Sequence, residues 1–66
     1  MSLEMLLRYG VSMGPILALE RAGAETVEDI LAMRRKEVQN VRGIGKKAMD
    51  ELDAALRRMG SWYREG

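Results

Sequence analysis

The sequence predicts an all-α domain, a compact bundle of four to five short helices, on three observations. No segment alternates apolar and polar residues for long enough to make a half-buried strand. Ala48, Met49, Leu52, Ala55, Leu56 and Met59 recur at helical spacing, which leaves Asp50, Glu51, Asp53, Arg57 and Arg58 for the outside. Upstream, helix start and stop signals follow one another closely: Ser12 with Pro15, then Gly23, then Thr26 with Asp29.

The elements follow in order. Leu3, Met5, Leu6, Leu7 and Tyr9 form a run too short to stand alone as a helix, expected as a first turn or irregular arm that Gly10 ends. Ser12 is a good N-cap, and Pro15 falls in the first turn, where a missing N–H costs little. Ile16, Leu17, Leu19 and Ala22 then give one apolar face to a helix of about two turns, stopped by Gly23. Thr26 opens the next helix, with Asp29 completing a capping box, Glu28 also favourable in the first turn, and Val27, Ile30 and Leu31 facing inward. Arg34-Arg35-Lys36 breaks the apolar pattern, and a short helix from there to Asn40 buries Val38. The last helix has basic residues in its final turn and Gly60 as its stop. Trp62 and Tyr63 are expected to fold back over the core.

A chain of 66 residues makes one domain, spanning 1–66, near the size at which folding buries only about 60% of the unfolded surface. Apolar residues supply 47%, yet the aromatics are only Tyr9, Trp62 and Tyr63, so the core must be aliphatic with methionine filling gaps. Eleven basic and ten acidic residues leave a net charge of +1, and distribution matters more than the sum. From Arg34 to Lys47 the only acid is Glu37, whereas Glu20 to Asp29 is acidic apart from Arg21, so one end of the domain is expected basic and another acidic.

The absence of Cys and His excludes disulfides, thiolate chemistry and the usual zinc ligands, and removes the commonest general base. No cofactor, metal, small-molecule substrate or catalytic residue is therefore expected. No apolar run approaches the roughly 20 residues of a membrane span, and no membrane partner is expected. Met1-Ser2-Leu3 and Glu65-Gly66 look like cloning remnants outside the native domain.

The functional signal is Val41-Arg42-Gly43-Ile44-Gly45-Lys46-Lys47. Glycines at both ends of a three-residue turn permit left-handed or crowded dihedrals and let main-chain amides approach a ligand closely. Ile44 would be the pin, pointing inward. A helix beginning at Lys46 presents free N–H groups and the positive end of its macrodipole, with Lys46 and Lys47 adding mobile charge. That combination suits a nucleic-acid phosphate, which needs charge and hydrogen bonds but no base identity. A sharp corner with solvated lysines explains the same residues. A Walker loop or dinucleotide fingerprint does not, since the longer glycine spacing and a preceding strand are missing. Ala22-Gly23-Ala24 joins two helices as Gly43-Ile44-Gly45 does, so two helix-hairpin-helix units in tandem are expected, a SAM-like fold.

The run Glu20 to Leu31, followed at fixed spacing by Val41 to Ala48 and then Glu51 and Leu52, closely resembles the C-terminal domain of the bacterial RNA polymerase alpha subunit over roughly Val11 to Gly60. The resemblance implies a cytoplasmic, nucleoid-associated, non-catalytic module of transcription. It implies binding to double-stranded DNA in the minor groove and docking with RNA polymerase or transcription factors. In that family the glycine of the second hairpin, the second lysine after it and the next residue face DNA, here Gly45, Lys47 and Ala48. Serine is usual where Ala48 stands.

The family's principal minor-groove arginine falls at Gly14 and its companion asparagine at Leu17, while the acids that face the promoter-recognition factor correspond to Arg8-Tyr9-Gly10. The main expectation is weak, salt-sensitive binding of the DNA backbone through Arg42, Gly43, Gly45, Lys46, Lys47 and Ala48. The alternative is a protein-interaction module that kept the fold and lost groove recognition, using Met13, Leu17, Glu25, Glu28 and Asp29. A helix-hairpin-helix enzyme is the third reading, and a chain this small has no pocket for a flipped base.

Overall fold

In the computed structural model, which describes residues 1–65, a 3-10 helix over Leu3–Tyr9 precedes four α-helices. These are α1 (Met13–Arg21), α2 (Val27–Leu31), α3 (Arg35–Gln39) and α4 (Lys46–Arg58). The thirteen residues of α4 make a rod of about 20 Å at 1.5 Å per residue. The whole domain measures 27 × 24 × 21 Å, so this one helix runs through most of it and the others pack around it.

Its inward stripe of Met49, Leu52, Ala55 and Leu56 meets Leu3 and Leu6 of the 3-10 helix, Ile16 and Leu19 of α1, Val27 and Ile30 of α2, and Val38 of α3 in a single aliphatic cluster. The expected core is thus present with three differences. Leu17, counted on the apolar face of α1, lies exposed at 42%, and Ala18 is buried in its place. Ala22 lies exposed beyond the end of α1, because the helix stops one residue earlier than its apolar pattern. Leu3, expected to be a remnant, is fully buried, and Val27 N–H donates to the Met1 carbonyl at 2.8 Å, so residues 1–3 take part in the fold. Gly66 lies outside the described residues.

Helix ends are set by local chemistry. Gly23 (φ 102°) follows α1 and Gly60 (φ 71°) follows α4, and at each the next amide reaches back to the last turn, Ala24 N to Leu19 O at 3.0 Å and Ser61 N to Leu56 O at 2.8 Å. This is the six-to-one closure that a left-handed residue after a helix allows. Thr26 and Asp29 form the expected capping box: Thr26 Oγ1 accepts from Asp29 N (3.1 Å), and Asp29 Oδ2 accepts from Thr26 N (3.0 Å) and Glu25 N (2.8 Å). At α3 only half a box exists. Glu37 accepts from Arg34 N at 2.7 Å, and the Arg34 guanidinium has no lone pair with which to reciprocate.

Two polar side chains depart from expectation. Ser12 occupies the N-cap position of α1 without bonding the helix; its N–H and hydroxyl both donate to Glu51 Oε1 of α4, each at 2.8 Å. Asp53, expected outside, is buried at 8% exposure. Arg35 grips it with both Nε (3.1 and 3.2 Å) and Nη2 (2.7 Å), and the Tyr63 hydroxyl donates to it at 2.9 Å. This network draws α3 and the C-terminal tail onto α4. Tyr63 is accordingly buried, whereas Trp62 beside it stays near the surface at 36% exposure, with the Arg57 guanidinium 5.0 Å from its ring. The expectation of a folded-back tail therefore holds for one aromatic of the two.

Candidate nucleic-acid interface

The segment between α3 and α4 is a four-residue turn closed by Ile44 N–H donating to the Val41 carbonyl at 3.0 Å. Gly43 stands third, at φ 93°, the position at which such a turn requires a positive φ. Ile44 is the inward pin, 8% exposed. The two glycines differ: Gly45, at φ −109°, ψ −168°, is extended and not left-handed, and serves as the N-cap of α4. With no side chain at the cap, no side chain bonds the helix end. The helical ladder opens with Met49 N donating to Gly45 O at 3.0 Å, so the amides of Lys46, Lys47 and Ala48 precede it at the positive end of the dipole.

Two shallow clefts meet at this turn. One is walled by Ser12, Gly14 and Pro15 from the start of α1 and by Gly45, Lys47, Ala48 and Glu51 from α4. The other lies between Ala18 and Ala22 on one side and Val41 and Arg42 on the other. Gly43 and Arg21 border both. The turn presses on α1 so closely that a Cβ on Gly43 would stand 3.1 Å from the Ala18 Cβ. Gly43→Ala should therefore lower stability by about 1–2 kcal/mol from the left-handed backbone alone, with the contact adding to it. An unchanged thermal midpoint would refute this geometry.

Charge around the clefts is uneven. Lys46 Nζ bonds Asp50 at 3.0 Å in an i,i+4 pair whose side chains are 90% and 61% exposed, an interaction worth about 0.3–0.5 kcal/mol and easily given up to another anion. Arg21, Arg42 and Lys47 form no ion pair among the described residues. Arg35, counted with the basic end, is turned instead to Asp53. Among the described residues the one carboxylate lining the clefts is Glu51, kept below its ordinary range by the Ser12 amide, the Ser12 hydroxyl and the nearby Lys47 charge.

Arg42, Gly43, Gly45, Lys47 and Ala48 thus line these two joined clefts, while Lys46 points along its own helix. Met13 and Leu17 lie one turn apart on α1 at 44% and 42% exposure. The acidic edge is less free. Asp29 is held in the capping box, and Glu28 accepts from the Met1 ammonium at 2.8 Å. Both carboxyls are held below their ordinary range, Glu28 by that ammonium and Asp29 by the Glu25 and Thr26 amides. The residue that sequence reasoning missed is Arg21, assigned to the acidic stretch by its neighbours. Its helical phase, three residues after Ala18 on the same face, was the available signal.

Short helices in pairs, each pair joined at a glycine and the second feeding an open helix N-terminus, define a helix-hairpin-helix domain of the SAM-like class. Comparison with known sequences identifies which one: the family model for the C-terminal domain of the bacterial RNA polymerase alpha subunit matches residues 15–58, and the protein belongs to that family. It is 32% identical over 56 residues to the DNA-directed RNA polymerase subunit alpha of Thermus thermophilus, a match that takes in 85% of this chain and 18% of the relative. The subunit of Alkaliphilus metalliredigens is 38% identical over 46 residues, 70% of this chain and 15% of the relative. The sequence thus spans less than a fifth of the length of these relatives. The family is a non-catalytic one of transcription, and no helix among the described residues is long and apolar enough to cross a membrane.

Proposed function

We propose that this domain binds the backbone of double-stranded DNA, weakly and with little sequence preference, through the turn Val41–Gly45 and the first residues of α4. The observation that carries the reading is the uncapped start of α4 at Gly45, whose free amides stand beside Lys47 in a cleft. Amides and a lysine suit phosphate oxygens, and neither reads a base. Family membership supports the same role and a place beside RNA polymerase or its transcription factors in the bacterial cytoplasm.

The groove side of the site is bare. Gly14 and Leu17 offer neither charge nor hydrogen bonds where the resemblance puts an arginine and an asparagine, so contact falls to the hairpin. About three neutralised phosphates give a log–log salt slope near −3, at roughly −0.9 per contact. A labelled duplex titrated at several salt concentrations measures it. The pair Lys46→Glu with Lys47→Glu should abolish binding at moderate salt; binding that persists unchanged would place the site elsewhere.

A second reading draws on Met13 and Leu17, two large apolar side chains exposed one turn apart. They suit a protein contact, and the domain would then dock without DNA. A concentration-dependent dimer or a retained polymerase subunit, with no duplex binding in low salt, would favour it.

A further inference from the structure

We infer that Arg21, at the end of α1, is a further phosphate-binding residue of the DNA interface, so that the backbone crosses the hairpin at Gly43 with Lys47 on one side and Arg21 with Arg42 on the other. The inference rests on the DNA-binding reading above and extends its footprint across α1.

Three observations place Arg21 there. It borders both clefts, and only Gly43 does the same among the described residues. One of its terminal nitrogens stands 3.8 Å from the point a Gly43 Cβ would occupy, over the backbone of the turn. Its side chain is exposed and forms no ion pair among the described residues, although Glu20 adjoins it in sequence. Arginine is suited to the task, because its planar fork can hold two phosphate oxygens at once while keeping its charge at any working pH. Gly43 is what keeps the turn close against α1, and so close to Arg21: a Cβ there would stand 3.1 Å from the Ala18 Cβ and push the two apart.

Arg21 has a competing structural role, as a cation in the last turn of α1 that complements the negative end of that helix. The two roles differ in what they predict. A phosphate contact changes the salt dependence of binding, whereas a dipole contact changes only the melting temperature.

The experiment titrates a fluorescent duplex of mixed sequence into wild type, Arg21→Ala, Arg21→Lys, Lys47→Ala and, as a control for total charge, Arg8→Ala. Arg21→Ala should flatten the log–log slope by about 0.9, as one lost phosphate contact does, and so should Lys47→Ala. Arg21→Lys should keep the slope and lose part of the affinity, and Arg8→Ala should leave the slope unaltered. A wild-type slope in Arg21→Ala, with Lys47→Ala flattened, overturns the role of Arg21 and leaves the hairpin reading standing. If the wild-type domain shows no duplex binding at low salt, both fall. Melting curves for each variant establish that the domain is folded.

Discussion

Replacing Gly14 with arginine should tighten duplex binding about eightfold at 0.1 M salt and steepen the salt slope by about 0.9, the effect of one more neutralised phosphate. Gly14 lies in the first turn of α1 on the wall of the cleft that holds Gly45, Lys47 and Ala48. A Cβ there meets nothing within 4 Å, so the added side chain has space to leave the surface. An arginine at that point would reach past the backbone gripped by the hairpin into the groove behind it, where a narrow, strongly negative channel favours a guanidinium. The variant has one structural cost. Pro15 follows, and a residue with a Cβ before proline is disfavoured in helical conformation, so the melting temperature should fall modestly while affinity rises. Affinity unchanged in a folded Gly14→Arg domain would mean that DNA does not lie across the start of α1.

Asp53→Ala should cost about 2–3 kcal/mol, less than for a fully buried pair because the Arg35 side chain is 43% exposed and can return to water. The loss falls chiefly on Tyr63, whose hydroxyl is buried and has Asp53 as its acceptor. Each kcal/mol lowers the midpoint by about 4–8 °C in a domain of this size, so calorimetry reads the effect easily.

Acid should produce the same change in the wild type. Burial pushes the Asp53 carboxyl up, but hydrogen bonds from Arg35 and Tyr63 and the Arg35 charge outweigh it and hold the carboxyl below its ordinary value of 3.8. A folded-state value below the unfolded one stabilises the fold at pH above 3.8 and loses that contribution as pH falls through the folded value. The melting temperatures of wild type and Asp53→Ala should therefore converge in acid. A gap between them that is constant from neutral pH into strong acid would exclude an ionised Asp53 from the network.

The parts of this fold that were legible in the sequence are those decided within one helical turn. Thr26 with Asp29 fixes its own helix start, Gly23 and Gly60 fix two helix ends, and Gly45 followed by two lysines marks the start of α4. Asp53 was not legible because its environment comes from Arg35, eighteen residues earlier, and Tyr63, ten later. Alone, an aspartate on the longest helix is most simply a solvated one. Ser12 departs from its expected role partly for a local reason, since Pro15, three residues on, has no N–H to donate to its oxygen, and its hydroxyl donates instead to the distant Glu51 carboxylate. Of the candidate site, the hairpin half could be read from glycine spacing, whereas the half contributed by Arg21 depends on the angle at which α1 passes the turn.

The close approach of Gly43 to Ala18 ties those two positions together as the domain diverges. A larger residue at 18 needs a turn that stands farther off, and a side chain at 43 needs both a different turn and a smaller neighbour. Each substitution alone should be selected against, so lineages are expected to change the two together or neither. A double-mutant cycle on Ala18→Gly and Gly43→Ala would read this coupling as a loss of stability smaller than the sum of the two single losses, and a repertoire of variants selected for folding should show the pair varying in concert.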